Sequence, residues 1–344
     1  MGKLLRAMKA EQRKLWSKGS LLGCFVLVFV LSFALSFMCS VVKESGADAD
    51  GLFSNVHAAA AFSEPDNEGW REKTKAKLEG YEKEIEAIAL EIPETSGTQK
   101  AVLEHRITQL SRDQAVAQYR LDNNLVIWDW SSSYSLILCL WLMIPVVAVI
   151  TIIYASDIFA GEFVRGTVRV IISRPATRIK LYAAKLLTAL LLGVLFMGVA
   201  YAAAGIGCGV LMEPSGGEYV GYINGRIYTS DWGMHVFTVF LCCCGMVAVC
   251  VALCAAVGNM TRSRGISGIC SAVLAVGGMS VGPLAGLVDS GVLGVALPFC
   301  FDLTVPLCAS PYGNGCSFIS CVISVAVHFL VFSYLGYSSF RRDI

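Results

Sequence analysis

The chain alternates between long stretches with no charged residue and polar segments of very unequal length. Leu21–Val42, Ser131–Ser156, Gly233–Met260, Gly265–Val288 and Leu303–Phe340 contain no Asp, Glu, Lys or Arg, and Leu181–Met212 contains only Lys185. A helix that crosses a bilayer needs about 20 consecutive apolar residues, and each of these runs suffices. The last run is too long for one span, and Gly313 and Gly315 place the start of its helix near Ser317. The pattern predicts an all-α polytopic membrane protein with six transmembrane helices, at 20–42, 132–155, 181–206, 234–258, 266–288 and 317–339. Lys185 lies near one end of its run, so its aliphatic stem is expected to carry the ammonium to the interface. The first run is longer than the 7–15-residue core of a signal peptide and is expected to stay as an uncleaved anchor.

The polar segments predict their own elements. Residues 1–19 read as an amphipathic elbow, with Leu4, Leu5, Met8, Leu15 and Trp16 apolar and Lys3, Arg6, Lys9, Arg13 and Lys14 basic. Such a helix lies at a membrane surface with its cations near lipid headgroups. A plain basic flank is the other reading, and Trp16 beside the span favours the surface helix. Residues 43–131 separate the first two spans. Within them Leu78, Tyr81, Ile85 and Ile88, then Leu103, Ile107, Leu110, Gln114, Ala117 and Leu121, step by threes and fours, as helix seams do. Pro93 and Gly97 interrupt them, and Thr98 is a candidate N-cap for the second helix. An antiparallel helical hairpin follows, with Trp128 and Trp130 as interface anchors. Residues 289–316 are apolar but broken by Pro298, Pro306 and Pro311. They read as a re-entrant turn tucked against protein or as an ordered loop.

Charge fixes the orientation. Sixteen Lys and Arg flank one side of the spans: six before span 1, six over Arg165–Lys185, then Arg262, Arg264, Arg341 and Arg342. Only Glu11, Asp157, Glu162 and Asp343 oppose them there. By the positive-inside rule both termini face inward, and the hairpin faces outward. The whole chain, 56% hydrophobic and 15% charged with a net charge of +1, departs from the roughly 25% charge of soluble domains. That composition excludes a disordered chain, a strongly basic nucleic-acid binder and an ordinary cytosolic enzyme.

Candidate chemistry is sparse. His57, His105, His235 and His328 are scattered, and no H-E-x-x-H, G-x-S-x-G or Cys-x-x-Cys occurs. His328, alone in its span, is read as a hydrogen-bonding group between helices. Cys243, Met246, Cys250 and Cys254 share a helix face, where soft metal binding competes with small-residue packing; packing is the preferred reading, and no metal or cofactor site is assigned. Cys300, Cys308 and Cys316 share one outer segment, and spacing alone leaves a disulfide among them open.

The most informative segment joins spans 2 and 3, over residues 156–180. Thr167 can cap a short helix, Val168–Ser173, which Pro175 ends. Val168, Ile171 and Ile172 make one face apolar, and Arg165, Arg169 and Arg174 make another cationic. Asp157 and Glu162 are placed to pair with Arg165 or Arg178 and fix the angle of this knob. Its form suits docking into a cleft of another protein.

The run GEFVRGTVRVIISRPATRIKLYAAK resembles the corresponding loop of ABC-2 type transporter permeases, E…GT…LLS-P-R…K, at Glu162, Gly166, Thr167, Ser173, Pro175, Arg178 and Lys185. Ile171-Ile172 stand where leucines are usual. The basic elbow, six spans, outer helical domain and broken segment before the last span agree with that family. The resemblance implies a coupling helix that contacts a separate ATPase subunit, with Glu162, Gly166, Thr167, Arg169, Ser173, Arg174, Pro175 and Arg178 as the coupling residues. It also implies pairing with a second permease subunit, and passage of substrate between the two. No G-x-x-x-x-G-K-[ST] phosphate loop occurs, so ATP hydrolysis is assigned to the partner. The expectation is an exporter subunit in the cell membrane, touching lipid but not nucleic acid. Its apolar spans suit an amphipathic or lipid-like cargo. A membrane sensor or scaffold, with the hairpin as ligand module and the loop as docking element, is the rival. It is disfavoured because no inner segment is long enough for an output domain.

Overall fold

The computed structural model describes residues 2–17, 19–44, 69–125, 132–166, 178–212, 218–223, 226–281, 303, 304, 307 and 318–342. A surface helix α1 (Gly2–Trp16) leads into α2 (Gly19–Glu44). Two polar helices follow, α3 (Trp70–Glu91) and α4 (Thr98–Asp122), joined through a 3-10 turn at Ile92–Glu94. The chain then forms α5 (Ser132–Phe159), the single turn α6 (Gly161–Val164) and α7 (Arg178–Leu211). Two strands, β1 (Glu218–Ile223) and β2 (Arg226–Asp231), precede α8 (Trp232–Thr261), α9 (Arg264–Val281) and α10 (Phe318–Arg342).

The fold is that of a helical, polytopic membrane protein. Among the described residues, α2, α5, α7, α8 and α10 are long and apolar enough to cross a bilayer. Helix α9 is apolar but is described only to Val281, and residues 282–288 of the expected fifth span lie outside the described residues. Successive helices run in alternating directions, so the end of α5, the start of α7, the α8–α9 turn and the end of α10 meet at one basic end. Helices α5, α7 and α8 form the centre, with Ile144, Val147, Phe196, Met197, Val239, Cys243 and Val251 buried. Helices α2 and α10 are peripheral and expose Leu22, Val26, Phe37, Leu330 and Tyr334 along their outer faces.

With no hydrophobic drive between helices in lipid, close packing and polar contacts select their neighbours. The buried side of α2 carries Ser32 and Ser36 where the exposed side carries large aliphatic residues. The Ser36 hydroxyl donates to the Ala204 carbonyl of α7 (3.3 Å) and to its own helix at Ser32 (3.1 Å). Gly207 permits this approach, since a Cβ there would lie 2.6 Å from that of Ser36.

At the opposite end, α3 and α4 pack antiparallel. Leu78, Tyr81, Ile85 and Ile88 are half-buried, and Leu110 is buried on the facing helix. A second side of α4, with Val116 and Arg120, is also buried, and Arg120 Nη2 donates to the Val220 carbonyl of β1 at 3.5 Å. The hairpin β1–β2 was not expected from the hydrophobic pattern. Its register runs from Glu218↔Asp231 to Ile223↔Arg226, and Asn224 and Gly225 between the strands lie outside the described residues. Asn-Gly favours the tight turn that matches strand twist, and that dipeptide was the available signal. Tyr219 stacks on His235 of α8 with centroids 3.5 Å apart and meets Trp232 edge-on. Asp231 caps α8 by accepting from Gly233 N at 2.8 Å.

Two further expectations are corrected. Gly97, at φ 63°, occupies the N-cap position of α4, and Thr98 is the first helical residue. Lys185 does not extend into solvent: its side chain is 1% exposed and turned onto Glu162. His328 Nδ1 contacts the Ser324 carbonyl of its own helix at 2.8 Å. Trp128 and Trp130 lie outside the described residues, as do Cys300, Cys308 and Cys316. Of residues 289–316, Leu303, Thr304 and Leu307 are described and buried.

Candidate functional site

The loop singled out from sequence begins where α5 ends. After Ala160 the chain makes the turn α6, and Gly166 closes it by donating its N–H to the Phe163 carbonyl at 3.1 Å. Gly166 has φ +67°, in the left-handed region that glycine enters without steric cost. Its place in the motif therefore has a backbone cause. Thr167, Arg169, Ser173, Arg174 and Pro175 lie outside the described residues, so the placed members of the candidate set are Glu162, Gly166 and Arg178.

Glu162 is the centre of the placed site. Its Oε2 pairs with Lys185 Nζ of α7 at 2.7 Å, and its Oε1 pairs with Lys14 Nζ of α1 at 2.9 Å. Lys185 also donates to the Ile158 carbonyl at 2.7 Å, and Lys14 pairs with Glu11 at 3.0 Å. A charge buried in a helix bundle is tolerated when it is paired and hydrogen-bonded, and this arrangement meets that condition. Burial alone would push the Glu162 carboxyl up. The ammonium groups of Lys185 and Lys14 outweigh it and hold the pKa below the usual carboxylate range. Partial burial pulls Lys14 down, and Glu162 and Glu11 more than reverse that. One carboxylate thus joins the surface helix, the turn before the loop and the helix after it.

Asp157, five residues earlier, takes Arg165 and Arg264 on the same Oδ1, each at 2.7 Å. It ties the loop to the start of α9. The pairing of Asp157 with Arg165 follows the sequence expectation, whereas Glu162 is paired with two lysines, not with Arg165. At the far end of the loop, Arg178 Nη1 donates to the Arg341 carbonyl of α10 at 3.1 Å. Tyr182, a turn further on, donates its O–H to the Ser333 carbonyl at 2.9 Å and packs near Phe159, Tyr337 and Phe340. Asn259 Nδ2 reaches the Gly336 carbonyl at 3.1 Å, fixing α8 to the same helix.

The two ends of the loop are therefore held by different helices, the first by α1, α7 and α9, the second by α10. Sequence reasoning overlooked Lys14, Glu11, Arg264, Tyr182 and Asn259 as parts of this frame. Among the described residues, no group of three or more His, Cys, Asp or Glu is placed to hold a metal ion. Cys243, Met246, Cys250 and Cys254 are buried in the bundle core.

Comparison with known proteins gives one positive finding. The model of a family described as ABC-2 family transporter protein matches residues 7–293, which cover the surface helix, the loop and most of the bundle. Among curated proteins, none matches the chain.

Proposed function

Because the chain belongs to the ABC-2 transporter family, we propose that it is the permease subunit of an ATP-driven exporter, with residues 156–180 acting as the element that couples it to a separate ATPase. In this reading six spans cross the cell membrane with both termini inside, and α3–α4 stands outside. A second permease subunit completes the pathway. The cargo is amphipathic or lipid-like, because the central helices carry hydroxyls, thiols and aliphatic groups in place of charges along most of their length.

The observation that supports coupling most directly is the three-way tie at Glu162. A docking loop that merely hung from the membrane would need no buried ion pair at its root. A loop that transmits a push needs a rigid one. Within this reading, Glu162 and Gly166 set the loop's angle. Arg169 and Arg174 present cations to the partner, Thr167, Ser173 and Pro175 bound the short docking helix, and Arg178 anchors its exit.

The test is copurification of the ATPase and substrate-stimulated ATP hydrolysis in lipid nanodiscs. Glu162→Ala is expected to retain the partner and lose most of the stimulation. Arg169→Glu is expected to weaken association itself, by putting like charge against a complementary surface. Wild-type association and turnover in both variants would sink the assignment.

A further inference from the structure

A groove of about 900 Å³ runs between α2, α5 and α9, from the basic end along the side of the bundle. Its two halves differ in chemistry. At the basic end lie Asp157, Arg165 and Arg264. Both guanidinium groups meet the same carboxylate oxygen, each at 2.7 Å, and the Arg165 and Arg264 side chains are still 50% and 46% exposed. Two cations on one anion leave a net positive charge. A guanidinium has five N–H donors, and one carboxylate oxygen cannot use them all. Further along, Ile150, Ile153, Ile269 and Ala272 make the wall mostly apolar, with Cys24 and Tyr154 beside them. Ile153 and Ile269 are 58% and 68% exposed, on a surface that continues into the exposed apolar face of α9. From Asp157 to Ile150 along α5 is roughly 10 Å at 1.5 Å per residue, enough to seat the upper part of an acyl chain.

We infer that this groove is a binding site for an anionic phospholipid, its phosphate on Arg165 and Arg264 and its acyl chain along Ile153 and Ile269. The occupant follows from the two halves together. A soluble anion would use the arginines and leave the apolar wall in contact with lipid. A neutral lipid would use the wall and leave the excess charge uncompensated. Basic pockets between membrane helices select anionic headgroups on both counts. Asp157 holds the two guanidinium groups side by side, and its carboxylate competes with the phosphate for the same donors. The inference requires the protein to lie in a bilayer and does not rest on the transport reading.

The test uses the full chain, purified in neutral detergent without its partners. Phosphatidylglycerol, phosphatidylcholine and inorganic phosphate are titrated separately, with bound lipid read by native mass spectrometry and thermal midpoint read in parallel. Phosphatidylglycerol is expected to be retained at least tenfold more tightly than phosphatidylcholine, and inorganic phosphate at equal concentration not to displace it. Arg165→Gln with Arg264→Gln should erase that tenfold preference while phosphatidylcholine binding is unchanged. Asp157→Asn separates a lipid site from a staple between helices. It should keep or increase the preference, because it frees donors, even where it lowers the thermal midpoint. Equal retention of the two lipids, displacement by inorganic phosphate, or loss of preference in Asp157→Asn would each overturn the site. None of these outcomes depends on ATPase coupling, so the two proposals fail separately.

Discussion

The two ends of the molecule contain ion pairs of nearly equal length and opposite consequence. At the basic end, Glu162 meets Lys185 at 2.7 Å, and the lysine side chain is 1% exposed. At the other end, Arg106 of α4 meets Glu84 of α3 at 2.9 Å, with both side chains about half exposed. Distance does not distinguish them. Water competes for both partners of the exposed pair and screens their attraction, so such pairs contribute about 0–1 kcal/mol. The buried lysine has little water to turn to, so losing its carboxylate would leave a buried charge unpaired. The basic end is therefore held by specific polar ties. The opposite end buries Leu110 and Tyr219 and adds one buried polar tie, Arg120 to the Val220 carbonyl, while its Arg106–Glu84 pair lies on the surface.

The largest expected effect breaks the buried tie. Glu162→Ala strands the Lys185 ammonium in the bundle and should destabilise it by about 3–5 kcal/mol, read as a lowered thermal midpoint in detergent. Adding Lys185→Met should recover much of that loss, because an apolar replacement of both partners removes the unpaired charge. If the double variant is no better than the single one, burial is not the source of the difference between the ends.

Next comes the apolar seam at the other end. Leu110, 2% exposed, should cost about 2–4 kcal/mol when cut to Ala. The expected reporter is limited proteolysis within residues 70–122, with the basic end unaffected. Ile107→Asp should act in the same direction and by less, since Ile107 is only half-buried. A shift at the basic end of similar size would mean that the two ends unfold as one unit.

Acid should separate the ends as well. The Glu162 pKa is lowered by its lysines, so the stability it supplies is complete above the ordinary carboxylate range and is lost as pH falls through the lower, folded value. The acid-side slope of the thermal midpoint should therefore be steeper in the wild type than in Glu162→Gln. Equal slopes would remove Glu162 from the account.

Gly166→Ala should cost about 1–2 kcal/mol, the steric penalty of a left-handed residue bearing a Cβ. It should reduce ATPase stimulation more than assembly. The smallest effect is Arg106→Ala, expected below 1 kcal/mol and fading further in salt. A larger loss would show that exposure at the hairpin does not govern its ion pairs.

Five of the six expected spans are matched by helices of spanning length among the described residues, because a charge-free run of bilayer length has few other uses. Which side of each span faces protein was less readable, since leucine serves both sides. In α2 the small polar residues Ser32 and Ser36 mark the buried face. Lys185 was misread because a lysine near a helix end has the same sequence context whether it reaches water or a carboxylate. The better signal was the scarcity of acids. With sixteen cations and four acids flanking one side of the expected spans, an acid there is a point where cations converge, and the described Glu11, Asp157 and Glu162 are all paired. The strands were hidden by their length, six residues each between apolar helices, although Asn224-Gly225 pointed to them. The motif residues Glu162 and Gly166 were legible as types. Their reasons, a two-lysine clamp and a left-handed turn, needed the fold.

The serine seam on α2 bears on how the chain is made. Ser36 and its acceptor Ala204 are 168 residues apart. At about 5–20 residues per second of synthesis, α2 waits on the order of 10–30 seconds for α7 to emerge. During that interval a hydroxyl facing lipid needs an acceptor, and the Ser32 carbonyl, one turn back in the same helix, supplies it. The nascent segment can therefore enter the bilayer with the Ser36 hydroxyl already satisfied, and α7 can dock later against that face.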